Sequence, residues 1–411
     1  MKIKTRSIEK TILKAIKTFP AVVLTGPRQS GKTTVFKKLF SRTHTFVSLE
    51  DPDVRIRAKN DPRAFLKQYS LPIVIDEIQY VPELLSYIKS QIDQNRKPGQ
   101  WLITGSQNFV LMHNVTESLA GRAAILSLLP FSLAERADRG DSAKSISEWL
   151  NDRGTNSRLK HGKSSHSLEE IMLRGFYPEI ASNKQVDRQL WCGSYITTYL
   201  ERDVRNLSNI GDLSQFERFL IACAIRTGQI LNISELARDI GISVPTAKRW
   251  LSILTTGYQI YLLYPYYKNI GKRFVKSPKI YFNDIALCSY LLGYRDSKTI
   301  MNGPGYGHLF ETMVVSDFLK RYLNFGEKPS MYYFRSKDGL EVDLVIEENG
   351  KIYLFEIKSA KTITLKHSSS LLKLKKQFKN EFEFGALITG SDDNFALNEN
   401  MLNFSWKSLL S

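Results

Sequence analysis

Two sets of side chains in this sequence have types and spacings suited to phosphate and metal chemistry. The first is GPRQSGKT, which has the form G-x-x-x-x-G-K-[ST]. Gly26, Pro27, Arg28, Gln29, Ser30, Gly31, Lys32, Thr33 and Thr34 would wrap a polyphosphate. Gly26 and Gly31 permit tight curvature, and the amides opening a following helix point at the anion. Lys32 would reach the β- and γ-phosphates, and Thr33 would hold Mg2+. In IVIDE, Asp76 ends an apolar run and can hold the same Mg2+ through its water shell. Glu77 can polarise a water for attack on the γ-phosphate. In WLITGSQN, Ser106 is a candidate γ-phosphate sensor and Asn108 a second one. Arg122, in SLAGR, is a candidate arginine finger acting in cis or across a subunit contact; a surface salt bridge fits its position equally well.

The second set lies in GLEVDLVIEENGKIYLFEIKSAK, from Gly339. Asn349-Gly350 signals a type I′ turn. With those two residues as the loop, Glu348 faces Lys351, Asp343 faces Glu356 and Glu341 faces Lys358. Alternation puts Val342, Leu344, Ile346, Tyr353, Phe355 and Ile357 on one apolar face. Glu341, Asp343, Glu356 and Lys358 share the other with Val345, Ile352 and Leu354. Two carboxylates about 5 Å apart repel by roughly 3 kcal/mol at an effective dielectric near 20. A divalent cation between them reverses that sign, and Lys358 could then position or activate a water. A plain charged face is the alternative.

These residues need a scaffold. AVVLTG, PIVIDE and WLITGS read as buried parallel strands alternating with helices, each ending in polar residues where open α/β sheets bind ligands. From Arg136 to His166 the chain turns polar and reads as an insertion or lid loop. ISELARDIGISVPTAKRWLSIL reads as a helix-turn-helix, with Ser234 and Ser243 as helix caps and Gly241 at the turn. Thr246, Lys248, Arg249 and Trp250 lie near or on its polar side. Lys272, Arg273, Lys276 and Lys279 could add phosphate contacts. The alternative is a helix pair that only packs against protein.

Composition bounds the partners. Lys and Arg outnumber Asp and Glu by 58 to 41, a formal charge of +17, which favours an anionic partner, DNA before membrane. The three cysteines, Cys192, Cys223 and Cys288, are far apart and fit a reducing cytoplasm. No apolar run approaches the ~20 residues that span a bilayer.

GPRQSGKT, IDEIQYVPEL, LITGSQNF, SLAGR, LLPFSLAE, LRGFYPE, YLERDV and KSPKIYFNDIALCSYLLG together resemble a bacterial and archaeal family of AAA+ ATPases with a C-terminal domain of unknown function. The resemblance implies ATP binding and hydrolysis with Mg2+. The D…E-x-K hairpin is similar to PD-(D/E)xK nucleases. That likeness implies that Glu311, on the preceding helix, joins Asp343 and Glu356 around a second divalent metal, Mg2+ or Mn2+, with Lys358 as the catalytic lysine. An inactive relative that only binds is equally open. The expected architecture is α/β throughout: a P-loop AAA+-type parallel-sheet domain (1–135), the polar insertion (136–166), a helical section (167–228), a winged helix-turn-helix (229–267) and a PD-(D/E)xK-like α/β domain (268–411). DNA, a protein partner and a second copy of the chain are the expected partners.

Overall fold

The apolar runs of the first domain are too short for helices and too hydrophobic to face water. They lie side by side as β1 (Ala21–Gly26), β2 (Thr45–Ser48), β3 (Ile73–Asp76), β4 (Trp101–Ser106) and β5 (Ala123–Ser127). The computed structural model describes residues 3–106, 118–155, 167–204, 212–273, 276–398 and 400–411. All five strands are parallel, in the order β2-β3-β4-β1-β5. Alternate side chains feed two cores. Ala21, Val23, Ile75 and Ile103 enter one, and Val22, Leu24, Val74 and Leu102 the other. Parallel pairing brings the C-terminal ends of β1, β3 and β4 to one edge of the sheet. Because β4 lies between β1 and β3, its last residues fall between GPRQSGKT and Asp76-Glu77.

The middle of the chain is helical. Helix Ile233–Ile240 turns at Gly241, whose φ of 72° is left-handed, into helix Val244–Thr256. Three antiparallel strands back this pair: β6 (Gln229–Ile230), β7 (Ile260–Leu263) and β8 (Lys279–Phe282), with β8 central. Ser243 caps the second helix as expected, but Asn232 caps the first, its Oδ1 accepting from the amides of Ser234 and Glu235. Ser234 lies one residue inside that helix.

The last section opens with helix Tyr306–Asn324. Strands β9 (Met331–Arg335), β10 (Glu341–Glu348) and β11 (Lys351–Lys358) follow as an antiparallel meander. Helix Ser369–Phe378 then crosses to β12 (Phe382–Thr389), parallel to β11, and β13 (Phe395–Asn398) and β14 (Met401–Ser405) complete the sheet. The turn is as read: Asn349 and Gly350 have φ of 50° and 74°, and Glu348 pairs with Lys351. Two features differ. A bulge between Val342 and Val345 sends Val342 into the core opposite that of Leu344 and Ile346. The face that carries the acids is also partly covered, because Val345, Ile352 and Leu354 pack against Leu371 and Leu374 of helix Ser369–Phe378.

The polar stretch after Arg136 is likewise not an open loop in its described part. Ile146, Trp149 and Leu150 recur at helical spacing and are buried on helix Ile146–Thr155. Trp149 packs against Phe318, Phe355 and Phe404 of the C-terminal section. Residues 156–166 lie outside the described residues.

Candidate active site

GPRQSGKT folds as a tight loop between β1 and helix Lys32–Phe40. Gly26 has φ 145°, and a Cβ there would collide with the carbonyl oxygen of Leu128. Gly31, at φ 97°, is the residue from which the helix starts. Both positions therefore need glycine for backbone reasons. The Lys32 ammonium is buried and folded back on the loop, donating to the carbonyls of Gly26 (3.0 Å) and Pro27 (2.9 Å). The loop is braced from behind by Arg6, which donates to Ser30 O (2.7 Å) and Leu129 O (2.6 Å) and pairs with Glu135.

Asp76 is buried at the end of β3 and clasped by two hydroxyls. Thr33 Oγ1 donates to both its carboxylate oxygens (2.9 and 3.1 Å), and Thr104 Oγ1 donates to Oδ1. One hydroxyl from the loop and one carboxylate from the strand are the oxygen donors that Mg2+ takes while keeping most of its waters. Glu77 follows with φ 57°, in the left-handed region, and its amide donates to Thr104 Oγ1 (3.1 Å). The Glu77 carboxylate accepts from Gln79 Nε2, which also donates to Ser106 Oγ (2.9 Å). Ser106 and Glu77 are thus joined through the Gln79 amide at this sheet edge. Asn108 lies outside the described residues.

Two cavities flank the loop. One, of about 480 Å³, opens onto Arg28, Gln29 and Glu77 and is closed by Trp191, Tyr195 and Tyr199 of helix Arg188–Tyr199. The other, of about 200 Å³, lies beside Gly31 and Thr34 and has Ile3, Val35, Phe131 and Pro178 as apolar walls. Arg6, Thr104, Gln79 and the aromatic helix were missed in the sequence. Gln79 and Thr104 lie within IDEIQYVPEL and LITGSQNF, but what each of these residues touches is set by strand order and packing.

Arg122 is not at this edge. It immediately precedes β5, whose Ala123 pairs with Ala21 at the start of β1. The loop follows the other end of β1, about 16 Å away at ~3.3 Å per residue. There Arg122 makes a two-pronged ion pair with Asp93 (2.6 and 3.0 Å). The cis finger role is therefore removed by topology.

The C-terminal set does assemble, but around an amine. Lys279, from β8, is buried with its Nζ 3.2 Å from Glu311, 2.7 Å from Glu341 and 3.4 Å from Asp343. Lys358 pairs with Glu356 (2.7 Å) and lies 3.6 Å from Asp343. Asp343 Oδ2 also accepts from the Ile357 amide (2.9 Å). Among the described residues no group of three or more His, Cys, Asp or Glu side chains is arranged to hold a metal. Where a second metal is expected, the acids are held in an ion-pair cluster with the Lys279 ammonium among them. Two ammoniums face four carboxylates, so negative charge is in excess. Burial, reinforced by Asp343, pushes Glu311 and Glu356 up to about 7. Burial opposes the charge on Lys279, but Glu311, Asp343 and Glu341 outweigh it and raise its pKa.

Of the basic residues near the helix-turn-helix, Lys248, Arg249 and Lys276 are exposed. Trp250 is core, packed on Phe216 and Phe219. Arg273 is buried between Tyr266 and Tyr332 with Glu347 as its ion partner. Arg273 and Lys279 are therefore not phosphate contacts; nothing is described of the Lys272 side chain.

Comparison with known proteins agrees with this geometry. Residues 18–137 match a family model described as an AAA domain. Residues 165–298 and 306–409 match two domains of unknown function, DUF8612 and DUF4143. Residues 18–137 thus form a P-loop domain of the AAA type. The chain belongs to one family with uncharacterized proteins of Mycobacterium tuberculosis and Mycobacterium bovis. It is 31% identical to each over 377 residues, covering 90% of this chain and 77% of theirs. Among solved structures, a Walker-type ATPase of Pyrococcus abyssi is similar at 16% identity, with 71% of this chain and 99% of that one covered and a TM-score of 0.42. A RuvB variant of Thermotoga maritima is similar at 18% identity, with 62% and 88% covered and a TM-score of 0.30. Among the described residues no helix is long and apolar enough to cross a membrane.

Proposed function

We propose that this protein binds Mg2+-ATP and hydrolyses its terminal phosphoanhydride. The carrying observation is the clasp of Asp76 by Thr33 and Thr104 beside Lys32 and Glu77, on one sheet edge. Thr33 and Asp76 would hold Mg2+, which supplies positive charge to the phosphates. Lys32 exchanges its two loop carbonyls for phosphate oxygens. Glu77 accepts the proton of the attacking water, and Ser106 donates to the γ-phosphate. The apolar cavity walled by Ile3, Val35, Phe131 and Pro178 has the size and chemistry for the base. Binding of a fluorescent ATP analogue and phosphate release test the reading. Lys32→Ala should weaken ATP binding at least tenfold, whereas Glu77→Gln should bind ATP and turn it over about 10²-fold more slowly. Unchanged ATP affinity in Lys32→Ala would remove the loop assignment.

A second reading is favoured by the C-terminal order of helix, three antiparallel strands, helix and parallel strand, which gathers Glu311, Asp343, Glu356 and Lys358. Glu356 Oε2 is buried there without a hydrogen-bond partner among the described residues. This order resembles that of PD-(D/E)xK nucleases, and the exposed Lys248 and Arg249 on the second helix of the pair would suit a DNA backbone. Cleavage then requires Lys279 to leave the acids; with Lys279 in place the domain only binds. DNA incubated with Mn2+, with and without ATP, distinguishes the two. Cleavage lost in Asp343→Ala supports a nuclease, and no cleavage in any condition rejects it.

A further inference from the structure

We propose that Gln79 holds the attacking water against Glu77 and links that base to Ser106, so that hydrolysis requires its amide. The inference rests on the ATPase reading above.

Gln79 sits in the short turn Ile78–Tyr80 directly after β3. Its Nε2 donates at once to the Glu77 carboxylate and to Ser106 Oγ. The orientation of the amide follows from chemistry, since Oε1 against Glu77 would oppose two acceptors. With the nitrogen fixed by two partners, the planar amide also fixes Oε1. That oxygen is buried and has no partner among the described residues. An unpaired buried acceptor costs about 1–3 kcal/mol, so a site that keeps one is built to receive a donor.

Water has two protons, and the site has two acceptors for them. Glu77 takes the proton that leaves, and Gln79 Oε1 accepts the hydrogen bond of the one that stays. The water oxygen bonds to the γ-phosphorus as the bond to the β,γ-bridging oxygen breaks. That bridging oxygen keeps the electron pair as part of ADP, and Gln79 neither gains nor loses a proton. Two features fix the frame. Glu77 is held by its left-handed backbone and by its amide bond to Thr104. Ser106 is fixed at the end of β4, whose neighbour β1 leads into the phosphate loop. A change in Ser106 on meeting the γ-phosphate is thus transmitted through one amide to the base.

The test uses the full-length protein with Mg2+-ATP. Gln79→Met keeps length and removes both polar atoms; Gln79→Asn keeps the amide but is too short to span Glu77 and Ser106. Both should lower kcat about 10²-fold while KM and analogue affinity stay within about twofold. The double variant Gln79→Met/Glu77→Gln should be no slower than Glu77→Gln alone, because the two residues act on one water. Turnover within threefold of wild type in both single variants overturns the proposal. So does a double variant whose losses simply multiply, or a parallel loss of ATP affinity in both, which would mark a structural role. If instead Glu77→Gln turns over normally, the assignment of the base has failed and the link to it falls with it, whereas a slow Glu77→Gln beside fast Gln79 variants overturns the link alone.

Discussion

At the scale of single residues, Glu311 carries the sharpest expectation. Burial, then Asp343, lifts it from 4.5 to about 7 in the folded chain, against the pull of Lys279 and the Tyr281 hydroxyl. A carboxyl raised on folding binds its proton more tightly in the native state. Its contribution is therefore fully present below the ordinary value and is lost as pH rises from about 4.5 to 7. Glu311→Gln should remove that titration, so its denaturation midpoint should change less than wild type's between pH 5 and pH 8. Equal slopes would mean that Glu311 is already ionised against Lys279 throughout. Lys279→Met is the complementary change: it leaves Glu311, Glu341 and Asp343 without their shared cation, a loss expected at about 3–5 kcal/mol.

At the scale of elements, local signals and long-range placement separate cleanly. GPRQSGKT could be read because the motif, the strand before it and the helix after it are contiguous, and each restricts the others. The hairpin turn and its register were legible for the same reason. The role of Gly241 followed from the left-handed turn that two abutting short helices need. What could not be read is what arrives from elsewhere. Lys279 comes from 64 residues before Asp343. Arg122 carries a plausible motif position but faces the wrong end of the sheet, a fact set by strand order. The bulge in β10 moved Val342 to the opposite core because alternation has no memory past an inserted residue. The helix cap shifted because Asn232, two residues before Ser234, offers an equally good acceptor immediately ahead of the helix. Asn232→Ala should accordingly cost about 1 kcal/mol and Ser234→Ala a few tenths, measured by chemical denaturation. The reverse ranking would restore Ser234 as the cap.

At the scale of the molecule, helix Tyr306–Asn324 is where the parts meet. Asp317 on it accepts from the Leu133 amide (2.6 Å), and Asn324 donates to Glu135 (3.3 Å) and accepts from Thr11 (2.8 Å). Arg321 donates to the carbonyls of Leu409 and Ser411 near the end of the chain. Glu135 is fully buried. It also accepts from the amides of Ser7 and Ser132 and pairs with Arg6, which holds the phosphate loop through Ser30. The Glu135 carboxylate thus touches both the brace of the loop and the C-terminal section, and a ligand on the loop should stabilise both. At a hundredfold excess over its Kd, Mg2+-ATP contributes about 2.7 kcal/mol to whatever unfolds with its site. Trp101 reports the ATPase sheet, and Trp149 reports the C-terminal core. In Glu77→Gln protein carrying either tryptophan alone, the analogue should raise both melting transitions together. Adding Glu135→Ala should leave the Trp101 response in place and remove most of the Trp149 response. If Trp149 already melts separately when Glu135 is intact, the two sections are neighbours and not a coupled unit, and nucleotide state would have to reach the C-terminal acids by another route.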